Sequence, residues 1–387
     1  MSKVTNPFVV KGLIPDAYFC GREEETKRLS RELLNQNNVV LKSPRRLGKT
    51  GLIRHCLNRD EFKDYYVFFV DILQTSSLQE LAYTLGQAVF NSLKPFGRKM
   101  TDLFIQTVRS IRTEYTYDAL SGMPKFSFAL GAIEQPQTTL AEIFQYIEAA
   151  DKRCIVAIDE FQRIADYPEK NVEAILRTQI QQMSNCDFIF AGSDRHLLDL
   201  MFHDSSRPFY NSASTMELDA LSKDTYLPFV QQHFASDRKS ISQVDAERVY
   251  DLFDGVTYYM QRTFNVAYSL IKPEESCTLA VLQTAIEEIL SDNERDYQRQ
   301  LALLGLRQKE LLFAIAKQGK AKQITSSSFI HRHHLSSASS IQSVSKQLLE
   351  NGWITFYINE QGEKIYTLSD LFLALWIQNH FGDGDTL

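Results

Sequence analysis

Ser43-Pro44-Arg45-Arg46-Leu47-Gly48-Lys49-Thr50 decides how the rest of this chain is read; it lies between an apolar run at residues 39–41 and a helix-like run beginning at Gly51. Gly48-Lys49-Thr50 has the make-up of a phosphate-binding loop, whose backbone N–H groups and following helix N-terminus offer phosphate a positive cradle. In such a loop Lys49 reaches the β- and γ-phosphates of a nucleoside triphosphate, and the Thr50 hydroxyl joins a magnesium shell. Ser43 stands where the pattern G-x-x-x-x-G-K-[ST] has its first glycine, a residue favoured there because the chain turns tightly. The strand before and the helix after are the context this chemistry requires, so residues 43–51 form the expected nucleotide contact.

A second motif follows about a hundred residues on. Cys154-Ile155-Val156-Ala157-Ile158 reads as a buried parallel strand and ends in Asp159-Glu160. A carboxylate at the C-terminal end of such a strand faces the crevice where doubly wound sheets bind ligands. Asp159 is expected to hold the magnesium shared with Thr50, through water. Glu160 is expected to orient or deprotonate the attacking water of phosphoryl transfer. The competing reading, in which Asp159-Glu160 only caps a helix from Gln162, loses ground once Gly48-Lys49-Thr50 is considered with it.

Composition sets the outer limits. A chain of 387 residues should hold two or three domains, and its 44% hydrophobic content allows sizeable cores. No run of eighteen apolar residues is present, so no membrane helix is expected. Met1-Ser2-Lys3-Val4-Thr5-Asn6-Pro7 lacks the apolar centre of a signal peptide. Five scattered cysteines without a CxxC pair suit reduced thiols and a cytoplasmic location. The net charge of −6 opposes a globally basic nucleic-acid binder. Yet Lys317, Lys320, Lys322, Arg332 and Lys346 lie in a stretch without a single acid, which points to a local basic face. His331-Arg332-His333-His334 has no cysteine or carboxylate at ligand spacing, so a backbone-contact or turn role outranks zinc.

Periodicity gives the architecture: an α/β fold with a P-loop NTPase parallel sheet, a helical lid and a C-terminal winged helix-turn-helix domain. Strands are expected at 39–42, 66–71, 155–158 and 188–191, with helices at 78–93, 139–149 and 171–183 between them and, before the first strand, a helix opened by residues 19–24 that runs to about Asn35. Alternating aromatics around Ser121-Gly122 suggest an inserted β-hairpin at about 113–131. The expected domains are 1–215 for the core, with an irregular arm at its start, 216–303 for the lid and 304–387 for the winged helix. In that last domain, helices at 306–317, 328–331 and 338–349 precede strands at 353–358 and 364–368.

These residues resemble the archaeal-type AAA ATPase family, a branch of the P-loop STAND/AAA+ superclass. Phe19-Cys20-Gly21-Arg22-Glu23 is similar to its segment before the first strand. Residues 43–50 are similar to its phosphate loop (Walker A), and residues 155–162, ending Asp-Glu-Phe-Gln, to its hydrolytic acid motif (Walker B). Residues 188–193 are similar to its sensor strand, and residues 366–372 to its closing stretch after the wing. The resemblance implies ATP as the nucleotide, Arg22 near the adenine or phosphate edge, and Ser193 as the polar sensor of the γ-phosphate. For Ser193, a helix cap for residues from Leu197 onward is the other reading. The family's lid motif Gly-x-Pro stands here as Gly255-Val256-Thr257, and its arginine before the lid is out of register, leaving Arg195 or Arg207 to supply transition-state charge in cis or from a neighbouring subunit.

Two functional readings stay open at this point. In the first, ATP and Mg²⁺ bind between sheet domain and lid, Glu160 activates water, and hydrolysis drives a conformational switch. In the second, a nucleotide-regulated winged helix binds DNA or a protein partner with little turnover. Neither reading calls for a membrane, and both leave room for a homo-oligomer.

Overall fold

The structure, a computed structural model, describes residues 6–93, 98–117, 124–359 and 361–381, without the side chains of residues 98–100, 111–117 and 124–132. Two compact units divide the chain: Leu13–Ala220, and Leu221–Leu387 together with the first twelve residues.

In Leu13–Ala220, α1 (Glu23–Leu34) leads into β1 (Val39–Lys42), α2 (Lys49–Leu57), β2 (Tyr66–Asp71) and α3 (Leu78–Leu93). Next come α4 (Arg98–Thr107), β3 (Ile111–Tyr117), β4 (Pro124–Ile133) and α5 (Pro136–Glu148). The unit closes with β5 (Cys154–Asp159), α6 (Val172–Ile180), β6 (Cys186–Gly192), α7 (Arg195–His203) and β7 (Ser214–Glu217). Five strands form one parallel sheet in the order β2-β5-β6-β1-β7. Each crossover passes through at least one helix, as parallel pairing demands.

Strand composition explains the order. Every residue of β1, β5 and β6 is buried, as suits interior strands covered on both faces. Successive side chains alternate between two cores. Val39, Leu41, Ile155, Ala157, Ile189 and Ala191 meet α1 and α2, including Leu29, Leu33, Leu52 and Ile53. Val40, Val156, Ile158, Phe188 and Phe190 face the larger cluster that holds Leu85, Ile143, Phe161, Phe202 and Phe209. The antiparallel β3–β4 pair stands where the hairpin is expected. Its Ser121-Gly122 turn and its aromatic side chains at 115, 117, 126 and 128 lie outside the described part of the molecule.

The second unit contains α8 (Lys223–Ser236), β8 (Ser240–Ile241), α9 (Gln243–Leu252), α10 (Thr257–Leu270), β9 (Ser276–Cys277) and α11 (Leu279–Ala302). The chain then forms α12 (Leu306–Gln318), β10 (Ala321–Lys322), α13 (Ser327–Arg332) and α14 (Ala338–Glu350). It ends with β11 (Ile354–Ile358), β12 (Lys364–Leu368) and α15 (Leu371–Phe381). Helices α12–α14 and the β10-β12-β11 sheet make the winged helix. In the wing turn, Glu360 lies outside the described residues.

Helices α9 and α10 and the winged helix interlock within this unit. The Tyr259 hydroxyl donates to the Ser369 carbonyl at 3.1 Å and accepts from the Leu371 N–H at 3.0 Å. Tyr259 and Phe253 also pack against Phe372. The arm at the start of the chain belongs here as well: Phe8 is fully buried among Phe229, Phe234, Phe264 and Tyr268. Two hydrogen bonds of 2.8 Å fasten it: Asn6 Nδ2 donates to the Asn265 carbonyl, and Asn265 Nδ2 donates to the Phe8 carbonyl.

Candidate nucleotide site

The phosphate loop leaves β1 and enters α2 through Gly48, whose φ of 93° lies in the left-handed region where glycine is at ease. Nothing lies within 4 Å of the place a Cβ would take at Gly48, so only backbone conformation demands glycine there. Ser43 behaves differently. It is not among the residues with positive φ, so serine adopts its conformation without strain. Its N–H donates to the Gly192 carbonyl at 3.2 Å, and its hydroxyl donates to the Pro44 carbonyl at 2.9 Å. The missing glycine therefore costs the loop nothing in backbone terms.

Neighbouring strand ends bring the other predicted residues to this loop. Lys49 Nζ lies 2.8 Å from Asp159 Oδ1 and 3.3 Å from Glu160 Oε1. Thr50 Oγ1 donates to Asp159 Oδ2 at 2.6 Å. Ser193 Oγ donates to Glu160 Oε2 at 2.7 Å, and Gln162 Nε2 donates to the same oxygen at 2.6 Å. Arg45 Nε completes the chain of contacts by donating to Ser193 Oγ at 3.4 Å. Lys49, Asp159, Glu160 and Ser193 thus gather at the C-terminal ends of β1, β5 and β6.

Glu160 is an ionised group by environment. Burial alone raises its pKa, but the Lys49 charge and hydrogen bonds from Ser193, Gln162 and Lys49 outweigh burial and hold it below the ordinary glutamate range. Its own φ of 58° is left-handed, a strained choice for glutamate. Neither acid serves as a side-chain cap for the 3₁₀ turn at Phe161–Asp166. Ser193 is not the cap of α7 either: Asp194 holds that place and accepts from the Leu197 N–H at 2.9 Å.

Arg22 is buried, and its donors go to protein groups. It reaches the Leu47 carbonyl at 3.5 Å, the Asp219 carbonyl at 2.6 Å and Glu25 at 2.7 Å, so it braces the loop from behind. Gly51 opens the first turn of α2 beside Ile14 and Phe19. Pro44, Arg45 and Arg46 are exposed, while Leu47 is buried. Arg195 is paired with Asp219 at 2.8 Å and Arg207 with Glu173 at 2.6 Å. Thr257, in place of the lid proline, is the first residue of α10, a position where proline and threonine are both tolerated.

Two residues of the site carried no role in the sequence reading. Gln162 is buried, and a Cβ at Gly192 would collide with its Oε1 and meet Leu198 Cδ1 at 2.8 Å. Gly192 therefore makes room for the amide that holds Glu160. Lys42 is also buried, between Asp199 at 2.5 Å and Glu217 at 2.6 Å, and ties β1 to α7 and β7. Aromatic stacking of Phe19 on His55, 3.8 Å between centroids, borders α2.

The winged helix carries a second candidate. A surface cavity of about 630 Å³ is lined by Glu310, Phe313, Lys317, Arg332, His333 and His334 among others. Burial first, then the charges of Arg332, Lys317 and His334, lower the His333 pKa. Of the basic stretch, Lys320 is paired with Asp254, Lys322 with Glu363 and Lys346 with Glu350. Among the described residues no group of three or more His, Cys, Asp or Glu side chains could hold a metal, and all five cysteines are free. No described helix is long and apolar enough to cross a membrane.

Residues 19–263 match a family described as an ATPase domain predominantly from Archaea, and residues 295–379 match a probable winged helix domain. An uncharacterized ATP-binding protein of Methanocaldococcus jannaschii is 23% identical over 261 residues, covering 62% of this chain and 68% of that protein. Among solved structures, the Walker-type ATPase of Pyrococcus abyssi aligns over 96% of this chain and 99% of its own, with 18% identity and a TM-score of 0.64. The ORC2 protein of Aeropyrum pernix, in ADPNP–ADP complexes, aligns over 97% of both chains with 14% identity and a TM-score of 0.59. The ORC1 protein of the same organism, in complex with DNA, aligns over 97% of both chains with 12% identity and a TM-score of 0.54. At these identities the structural likeness is one of fold.

Proposed function

This chain belongs to the family of ATPase domains found predominantly in Archaea, and from that premise we propose that it hydrolyses ATP at the Gly48-Lys49-Thr50 loop and uses turnover as a conformational switch. The observation that carries the proposal is the gathering of Lys49, Asp159, Glu160 and Ser193 in one connected chain of ion pairs and hydrogen bonds. Lys49 exchanges its two carboxylate partners for phosphate oxygens when ATP enters. The Thr50 hydroxyl and Asp159 carboxylate, 2.6 Å apart, are an all-oxygen pair that fits magnesium, which when bound neutralises charge on the β- and γ-phosphates.

The chemistry needs a water molecule held in line. Released from Lys49, Glu160 keeps the hydrogen bonds from Ser193 and Gln162 on one oxygen and has the other free to accept from water. The water oxygen bonds to the γ-phosphorus as the bond to the β–γ bridging oxygen breaks. Glu160 accepts the water proton, the bridging oxygen keeps the electron pair, and ADP and inorganic phosphate leave. Ser193 stays on the Glu160 side of the transferred group, where a change from γ-phosphate to product is felt directly.

The deciding experiment measures magnesium-dependent ATP binding and hydrolysis by the wild type, Glu160→Gln and Lys49→Ala. Turnover by the wild type, binding without turnover by Glu160→Gln and no binding by Lys49→Ala are expected. Tight binding without turnover in the wild type, with or without DNA, removes the hydrolytic roles of Asp159 and Glu160. The second reading, a nucleotide-regulated module with little hydrolysis, then takes over. What favours it is the basic cavity of the winged helix, which suits an anionic partner such as DNA.

A further inference from the structure

Hydrolysis spreads negative charge over the γ-phosphate oxygens, and P-loop enzymes meet it with an arginine supplied in cis or in trans. In this unit most arginines near the loop are already committed. Arg22 binds Leu47, Asp219 and Glu25; Arg195 binds Asp219; Arg207 binds Glu173; Arg163 binds Asp166. Arg45 differs from them. It is exposed, it forms no ion pair among the described residues, and its Nε donates to Ser193 Oγ at 3.4 Å.

That contact fixes which way Arg45 faces. Ser193 is 2.7 Å from Glu160, and Glu160 is 3.3 Å from Lys49, so Lys49 and Arg45 flank the same carboxylate from opposite ends. The Arg45 guanidinium is thereby joined through Ser193, the residue read as the γ-phosphate sensor, to the carboxylate that Lys49 also contacts. We propose that Arg45, from the phosphate loop itself, supplies in cis the positive charge that stabilises the γ-phosphate in the transition state. This proposal rests on the ATPase reading above and assigns it a residue. Arg45 takes no proton and forms no bond to phosphorus; water, Glu160 and the leaving ADP divide the atoms as already described. Arg45 Nη groups offer the planar fork that suits phosphate oxygens, which lysine lacks.

The test combines binding, turnover and mixing, using the full chain. Methylanthraniloyl-ATP and methylanthraniloyl-ADP titrations give the affinity ratio of each variant. Arg45→Ala should lose turnover by about 100-fold or more while ADP affinity stays within about twofold, so that the preference for ATP over ADP collapses. Arg45→Lys should fall between Arg45→Ala and the wild type, and Arg195→Ala and Arg207→Ala should keep both turnover and preference. Mixing Arg45→Ala with Lys49→Ala should restore nothing, because each site needs its own loop arginine.

Three results overturn the proposal: turnover and ATP preference of Arg45→Ala within about threefold of the wild type, an equal loss of ATP and ADP binding, or recovery on mixing. If the wild type binds ATP without hydrolysing it, the ATPase reading falls alone, and the affinity ratio of Arg45→Ala still decides the γ-phosphate contact. If the wild type binds neither nucleotide, both fall.

Discussion

Lys49 and Lys320 each hold a carboxylate at short range, and the two behave as different kinds of residue. Lys49 is 8% exposed between Asp159 at 7% and Glu160 at 15%, whereas Lys320 and Asp254 are 54% and 51% exposed. Water screens the second pair and leaves it worth roughly 0–1 kcal/mol. Within the first cluster the dielectric is low, each donor has a chosen acceptor, and an incoming phosphate can redistribute all of them at once. The basic stretch of the winged helix looks as cationic in sequence as the phosphate loop. In the fold, three of its five cations have an acid beside them, and Lys317 and Arg332 remain to line the cavity.

The largest effect that sharpens this contrast is Lys49→Ala, which should abolish ATP binding in an equilibrium titration; retained binding would break the comparison outright. Glu160→Gln comes next. It should keep ATP affinity and lower turnover by about 10²–10⁴-fold, the range for removing a general base. Gln162→Ala should lower turnover by about tenfold and move the acid limb of the pH–rate profile upward, since one of the bonds that keep Glu160 ionised is gone.

The sign of that pH effect follows from the depressed folded-state pKa of Glu160. Its contribution to stability is present above the unfolded value and is lost as pH falls through the folded one. Wild-type activity should therefore persist to lower pH than that of Gln162→Ala, and an unchanged limb would remove Gln162 from its supporting role. In the winged helix, Lys317→Ala with Arg332→Ala should reduce the salt slope of duplex DNA binding by about 2, with Lys346→Ala changing it by less than about 1. Absence of any salt-dependent binding at low ionic strength would leave the cavity without a nucleic-acid role. The smallest effect is Lys320→Ala, expected to change unfolding free energy by about 1 kcal/mol or less in a denaturant titration.

Much of this was legible in sequence where one physical signal dominated. Continuous apolar runs announced β5 and β6 because interior parallel strands are buried on both faces. Helical spacing placed α3 at Leu78–Leu93, the same bounds that the structure gives. Strand β7 went unread because Ser214-Thr215-Met216-Glu217 has one buried side chain, Met216, and is a strand only because β1 offers it a partner. Helix α15 was missed for the opposite reason: Leu371–Phe381 is apolar on almost every side, so no period stands out. Helix α4 also went unread, in the stretch between α3 and the hairpin.

At the site, residue types named the acids and the lysine, since their spacing along the chain follows from a strand-loop-helix unit. Gln162 could not be read that way. Its role depends on Gly192, thirty residues later, leaving space on the neighbouring strand. Ser193 and Asp194 are adjacent and both suit a helix start; only the 2.9 Å bond from Leu197 to Asp194 frees Ser193 for Glu160.

Phe8 gives the order of synthesis a consequence. Its ring is fully buried against Phe229, Phe234, Phe264 and Tyr268, all made more than two hundred residues later. At ribosomal speeds of about 5–20 residues per second, the first segment waits roughly 10–50 s for those partners while the whole sheet unit emerges. During that interval Phe8 is without those ring partners, and the sheet unit has the time to fold before the helices that will claim Phe8 exist. A protease pulse on arrested nascent chains should therefore cut near Phe8 until α10 has left the ribosome, and spare it afterwards.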